Sequence, residues 1–340
     1  MTTVRVATLG AGYFSQFHTE SWARIEAVDL VGCCDRDLGK AQAVGVPAFD
    51  DLERMLAEVQ PDLLDVILPP PGHAAAIRSA IAAGVKTIIC QKPFCASLKE
   101  AQSVTAEAKA AGVTLVVHEN FRFQPWYRAL KAALDAGLLG DLHQMTFRLR
   151  PGDGQGPEAY LDRQPYFQKM ERFLVHETAV HWIDTFRYLL GAPSAVYADL
   201  RRVNPVIAGE DAGVILFDHP GGVRALFDGN RSLDHAATNH RCTMGEALVE
   251  GSKGTITLQG DGSLWHRGFG QTEASCLFAA PQAATFGGDC VHALQSHVVR
   301  HLMEGAPIEN IAEEYLSVIR IEEAIYASAE RGTKIALEGV

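Results

Sequence analysis

The sequence predicts an α/β protein in two parts: a doubly wound parallel sheet over residues 1–122, then an α+β domain with a mostly antiparallel sheet over residues 123–340. Three observations predict it. Apolar strand-like runs alternate with helical stretches, joined by short Gly and Pro turns, up to about residue 120. After Pro125 that alternation stops, and several alternating apolar–polar segments follow one another. The 340 residues also suit two domains at roughly 150 residues each.

In order, Val4 to Leu9 reads as a strand that runs into Gly10-Ala11-Gly12-Tyr13-Phe14-Ser15, with a helix following through Trp22 and Ile25. Val28 to Cys34 is a second strand, ending at Asp35. Helices are expected at Leu38–Val44, Leu52–Val59, His73–Ala83 and Leu98–Ala111, and strands at Leu63–Leu68, Val85–Cys90 and Val113–Val117. Past Pro125 come a helix from Trp126 to Ala136, a strand from Leu142 to Arg150, and a Gly, Asp and Pro loop from Pro151 to Pro157. A helix from Val175 to Leu190 then precedes strands at Ala195–Val203, Gly213–Phe217, Val223–Asp228, Ala247–Glu250 and Thr255–Leu258. Helices His292–Met303 and Ile311–Ala329 complete the pattern.

Composition excludes several classes. Hydrophobic residues make up 47% and charged residues 21%, far from the profile of a disordered chain. Lys and Arg number 30 against 41 Asp and Glu, a net charge of −11, so neither phosphate backbones nor anionic lipid are expected partners. Cys33, Cys34, Cys90, Cys95, Cys242, Cys276 and Cys290 follow neither zinc-site nor disulfide spacing, and no secretory signal or run of about 20 apolar residues is visible. The expectation is a cytoplasmic protein with reduced thiols and no metal.

A strand turning sharply into a helix exposes backbone N–H groups, and Gly10 and Gly12 let a pyrophosphate approach them. Ser15 takes the third glycine position as a small residue. Asp35, at the end of the next strand and 25 residues after Gly10, is suited to the ribose hydroxyls of NAD and repels a 2′-phosphate. Arg36 beside it could pair with that phosphate, so NADP stays open. Lys92 follows a buried strand, between Gln91 and Pro93, at the end of the sheet where ligands bind in such folds. It is either a catalytic, oxygen-orienting cation or a surface cap.

His176-Glu177-Thr178-Ala179-Val180-His181 is near to a zinc helix, but its histidines are five apart. On an α-helix that places them roughly 140° apart, too far for one metal. Glu177 and His181 are the i, i+4 pair, and a carboxylate one turn before an imidazole can orient it as a general base. Lysine is the competing base, although it would need a large downward pKa shift to serve near neutral pH. A hydrogen-bonded structural histidine is the bland alternative.

These residues together resemble the Gfo/Idh/MocA family of NAD(P)-dependent oxidoreductases over nearly the whole chain. Gly10-Ala11-Gly12 is similar to the family's cofactor turn, Pro69-Pro70 with His73 to its T-P-P-x-x-H loop, and Lys92-Pro93 to the end of its E-K-P motif. Glu177, His181 and Asp184 resemble its D-x-G-x-H-x-x-D helix, and Ala324 to Gly332 its C-terminal helix end. Leu68 replaces the family's usual Thr, Gln91 its Glu and Glu177 its Asp.

The resemblance implies a Rossmann domain in which Tyr13, Phe14, Leu68, Pro69, His73, Gln91 and Lys92 join Gly10, Gly12, Asp35 and Arg36 around the cofactor. It implies a sugar, polyol or cyclitol substrate, with Lys92, His181 and Glu177 catalytic. Asn120, Arg122, Arg150, Tyr160, Arg163, His176 and Glu177 are the expected substrate-binding residues, and a homodimer or homotetramer is expected through the second domain's sheet. The runs His118–Trp126 and Arg150–Tyr166 resemble a subgroup that includes D-apiose dehydrogenase. Two other readings stay open, a glycoside hydrolase that retains NAD and a nonenzymatic NAD-binding sensor.

Overall fold

The computed structural model describes residues 3–282 and 285–337. The chain divides into two compact units, Met1–Asn120 with Val291–Ile319, and Phe121–Cys290 with Arg320–Val340.

In the first unit six strands, β1 (Val4–Leu9), β2 (Val28–Cys34), β3 (Ala48–Phe49), β4 (Leu63–Val66), β5 (Thr87–Gln91) and β6 (Thr114–His118), form a sheet in the order β3-β2-β1-β4-β5-β6. Every pairing is parallel. Helices α1 (Ser15–Ala23), α2 (Leu38–Ala43), α3 (Leu52–Val59), α4 (His73–Ala82) and α5 (Leu98–Ala110) make the crossovers. Asp51 and Ser97 start two of them by accepting the N–H groups of Arg54 and Glu100. Covered by helices on both faces, β4 and β5 are buried at every position, which is why they read as apolar runs rather than alternations.

Strand order reverses between β1 and β4, the switch point at which ligands bind in such sheets. The register pairs Leu9 with Val66, Val66 with Cys90 and Gln91 with His118. The segments after β1, β4, β5 and β6 therefore all leave the sheet at its carboxyl edge.

The second unit holds β7 (Leu142–Leu149), β8 (Ala195–Arg201), β9 (Ala212–Asp218), β10 (Arg224–Asn230), β11 (Gly245–Gly251), β12 (Gly254–Leu258), β13 (Leu264–Gly268), β14 (Ser275–Phe278) and β15 (Ile335–Ala336). They form one sheet in the order β14-β13-β12-β11-β7-β10-β9-β8-β15, antiparallel except for the pair β7–β10. Helix α6 (Pro125–Asp135) precedes it in the chain, and α7 (Val180–Leu190) packs on one face. There Trp182 stacks on Phe147 at 4.2 Å and lies 5.5 Å from Phe227, while Phe186 meets Phe217 at 5.6 Å. The opposite face carries a row that runs Tyr197, Leu216, Leu226, Thr146, Leu248, Thr257, Trp265 across neighbouring strands. Tyr197, Leu248 and Trp265 in that row are exposed.

Three findings differ from the sequence expectation. A single boundary at 122/123 leaves residues 291–319 in the second domain, but the structure groups them with the first unit. Helices α8 (Cys290–Glu304) and α9 (Ala312–Arg331) cross the unit limits, and between them Ile311 bridges Val116 and Asn310 donates to the Glu119 carbonyl. The short strands β3, β13, β14 and β15 were not expected, since two to five residues show too little period. Finally, the expected single α-helix from Val175 to Leu190 is a π-helical turn, Leu174–Ala179, leading into α7, and the Val180 N–H reaches back five residues to the Val175 carbonyl. Among the described residues no helix is long and apolar enough to cross a membrane.

Candidate active site

The first unit places the candidate cofactor residues at the carboxyl edge of β1, β2, β4 and β5. Gly10 follows β1 with φ +104°, and a Cβ there would lie 2.5 Å from the Ile67 carbonyl oxygen, so only glycine fits. At Gly12 a Cβ would meet nothing within 4 Å, leaving the turn open just before the N-terminus of α1. Ser15 closes the turn by donating its hydroxyl to the Gly12 carbonyl at 2.7 Å. Asp35 reaches the same turn, accepting the Ala11 N–H at 2.7 Å and the Asp37 N–H at 2.9 Å. An ionised carboxylate has about four lone-pair positions, so Asp35 keeps acceptor capacity for ribose hydroxyls. Open backbone at Gly12 and an anchored acid at Asp35 both fit a dinucleotide. Tyr13 and Arg36 are exposed beside them, and Phe14 packs on Phe17 and His18.

After β4, Leu68 is half-buried and Pro69 exposed. His73 is fully buried: its Nε2–H donates to the Leu68 carbonyl at 2.7 Å, and its Nδ1 accepts the Cys95 N–H at 3.2 Å. His73 was expected among the cofactor contacts. The structure shows it holding the Leu68-Pro69 loop from behind with both ring nitrogens engaged. Burial pushes its pKa down to about 4, which outweighs the hydrogen bond to Leu68.

Gln91 ends β5 and is buried, with its side-chain carbonyl taking the Lys92 N–H at 2.8 Å. Lys92 is half-buried, and the Lys92–Pro93 bond is cis. Asn120, two residues past β6, is 2% exposed, and its buried Nδ2 has no hydrogen-bond partner among the described residues.

The second unit carries the other candidates. The His181 ring stacks on Phe121 at 3.8 Å with an interplanar angle of 5°, which fixes its plane. One turn on, buried Asp184 takes a bidentate pair from Arg122, at 2.6 and 2.8 Å. Arg122, expected to bind substrate, thereby joins its segment to α7. The π-turn is held by distant residues: Glu210 accepts the Phe173 and Val175 N–H groups and the Tyr326 hydroxyl, which in turn accepts the His176 N–H. His176 Nδ1 lies 2.7 Å from Glu322, orienting the ring. Glu177 lies close enough to Tyr166 to add to the burial that pushes that phenol up to about 12.

Three of the expected substrate residues, Arg150, Tyr160 and Arg163, are engaged by acids of their own unit. Arg150 is 7% exposed and bonded to the Asp228 carboxylate and carbonyl and to the Leu149 carbonyl. Tyr160 is 3% exposed and, with Arg163 and Arg231, surrounds Asp153. Burial pushes the Asp153 carboxyl up, but the two guanidiniums outweigh it and hold it below its usual value. Among the described residues no group of three His, Cys, Asp or Glu is placed to hold a metal ion.

Sequence reasoning missed His18 and Asp65, which lie behind Gln91; the available signal was one acid inside the apolar run Leu63 to Ile67. It also missed Glu210, Glu322 and Tyr326, whose role comes from distant parts of the chain.

Residues 4–119 match the family model for the oxidoreductase family, NAD-binding Rossmann fold, and residues 127–257 match the GFO/IDH/MocA C-terminal domain. The chain is 33% identical to a D-apiose dehydrogenase of Paraburkholderia graminis, across 98% of this chain and 90% of that protein. It is 29% identical to a D-apiose dehydrogenase of Rhizobium rhizogenes, across 98% of each. Among solved structures, an oxidoreductase from Agrobacterium radiobacter in complex with NAD+, L-tartaric acid and magnesium has a TM-score of 0.88 at 28% identity and covers 98% of both chains.

Two outcomes are expected. Gly12→Ala keeps its unfolding midpoint near wild type while NAD affinity, measured by calorimetry, falls about tenfold or more, whereas Gly10→Ala loses fold stability itself. Acid has a defined effect through His73. Its folded pKa of about 4 lies below the 6.5 of a free histidine, so between those values the unfolded chain binds a proton that the folded chain refuses. Stability from this group is complete above pH 6.5 and falls with pH to about 4, by roughly 3 kcal/mol. Urea unfolding at pH 7 and pH 4.5 should show a smaller acid loss in His73→Gln than in wild type.

Proposed function

The chain belongs to the Gfo/Idh/MocA family of NAD-binding oxidoreductases, and from that premise we propose that it is a dehydrogenase of sugar hydroxyls with an apiose-like aldose as the first candidate substrate. The observation that carries the reading is the shared edge of the first sheet, where the glycine turn, the Leu68-Pro69 loop, Lys92 and Asn120 leave neighbouring strands. NAD supplies a hydride acceptor when it is bound. Orientation and the proton fall to side chains.

In this reading Gly12 admits the pyrophosphate and Asp35 takes the adenosine ribose hydroxyls. The Lys92 ammonium holds the reacting oxygen and stabilises negative charge as the hydroxyl proton departs. His181, with its ring plane set by Phe121, accepts that proton, and His176, Glu177 and Asn120 hold the remaining hydroxyls. Both curated relatives are named as dehydrogenases, which supports net oxidation over glycoside cleavage or sensing. The apolar row through Tyr197, Leu248 and Trp265 supports a homodimer or homotetramer, with a second copy covering the sheet. Free thiols at Cys33, Cys34, Cys90, Cys95, Cys242 and Cys276 support a reducing compartment such as the cytoplasm.

NADH formation at 340 nm with D-apiose and other aldoses, polyols and cyclitols tests the reaction, and no turnover with any of them would overturn it. Asp35→Ala should raise NADP use relative to NAD; a wild type that already prefers NADP would make Arg36 the deciding residue instead. Lys92→Met should cut kcat about a hundredfold or more while NAD affinity stays within a few-fold. A base acts only when unprotonated, so wild-type kcat/KM should fall on the acid side. His181→Asn should lose that limb together with most of its rate, and a variant that keeps both would shift the base to Lys92.

A further inference from the structure

We propose that His18, held by Asp65, is a positioning residue that sets the direction of Lys92 through the Gln91 side chain. The inference rests on the reading of Lys92 as the group that holds the reacting oxygen.

The hydrogen bonds allow one assignment of protons. Asp65 Oδ2 lies 2.7 Å from His18 Nδ1, and a carboxylate only accepts, so Nδ1 carries the proton. Gln91 Nε2 lies 2.9 Å from His18 Nε2, and an amide NH2 only donates, so Nε2 is bare and the ring is neutral. The other end of the same amide, Oε1, takes the Lys92 N–H at 2.8 Å. Turning the amide over would set its NH2 against the Lys92 N–H, donor against donor, so the Lys92 N–H decides which end of the amide faces His18.

The row is sealed and fixed at its far end. His18 and Asp65 are fully buried and Gln91 is 6% exposed, so water does not compete. Trp22 Nε1 donates to the same carboxylate oxygen at 2.8 Å, and the His118 ring lies against His18 at 4.1 Å. Orientation therefore passes from Asp65 through His18 and Gln91 to the peptide plane from which the Lys92 side chain departs. This also accounts for the residue at position 91. Glutamate would accept at both ends and would need a second proton on His18, whereas glutamine matches a neutral ring.

The first test uses the unmodified protein at pH 7. In a 15N-histidine-labelled sample, with the His18 signal assigned from the spectrum of His18→Gln, the ring should be neutral with its proton on Nδ1. An imidazolium, or a proton on Nε2, overturns the proposal. Gln91→Glu should give His18 a proton on both nitrogens at the same pH, and an unchanged signal also counts against it. The kinetic arm compares His18→Gln, whose side-chain carbonyl can stand where Nε2 stood, with His18→Asn, which is too short. His18→Asn should lose about tenfold or more in kcat with NAD affinity nearly unchanged, while His18→Gln stays within a few-fold of wild type. Equal losses in both, or none in either, reduce His18 to a core residue; should neither variant fold, the spectrum of the unmodified protein decides. If Lys92→Met retains its rate, the catalytic reading of Lys92 falls while the proton assignment stands.

Discussion

A carboxylate with no exposure in the middle of a parallel sheet must be satisfied by donors or it destabilises the fold by several kcal/mol. Asp65 is that group in the first unit, and its donors converge on one oxygen, Oδ1 having no hydrogen-bond partner among the described residues. Its Oδ2 takes His18 and Trp22 from α1 at 2.7 and 2.8 Å, and Gln295 of α8 lies 3.5 Å from it. One oxygen thus joins β4 to the helix that follows the glycine turn and to the segment that rejoins the unit from late in the chain. The position of α1 on the sheet, and with it the direction of the Gly10 to Gly12 turn, depends on this contact.

The second unit contains its own buried charge. Arg231 is 3% exposed, pairs with Asp153, donates to the Tyr160 and Thr178 hydroxyls, and lies over the Phe173 ring at 4.8 Å. Removing one partner of such a pair leaves the other buried and uncompensated, which is far more costly than the pair is stabilising. Thr178 belongs to the π-turn that carries His176 and Glu177, so this network fixes the loop around Asp153 and the candidate substrate residues as one piece. Glu210, Tyr326 and Glu322 secure the same turn elsewhere, and three separate anchors explain how a π-turn persists where an α-helix would have continued.

What was legible in the sequence follows from which interactions are local. Strands β1, β2, β4, β5 and β6 were readable because helix-covered parallel strands are apolar at nearly every position, and α3 and α5 because Asp51 and Ser97 mark their starts. The π-turn was not readable, since its causes lie about 35 residues away at Glu210 and about 150 away at Tyr326. Tyr160, Arg163 and Arg150 look in sequence like hydroxyl-binding side chains on a loop. Only the fold shows that they meet Asp153 and Asp228. The glycine turn and Asp35 were legible together because one βαβ unit brings them within hydrogen-bond reach.

The departures from the family's motifs become intelligible once each contact is assigned to an atom. Leu68 stands where threonine is usual, but the loop is held through its backbone carbonyl, which His73 grips whatever the side chain is. A change of side chain there leaves the anchor in place, while a change at His73 would release it. At position 91 the side chain itself makes the contacts, so glutamine is tolerated only with a partner in the matching proton state, and His18 against Asp65 supplies one. At position 68 the contact is made by a main-chain atom, and at position 91 by the side chain against the buried neighbour to which the complementary proton is assigned. Substitution in a motif is thus constrained by which atom of the residue makes the contact, and only secondarily by the residue's charge or size.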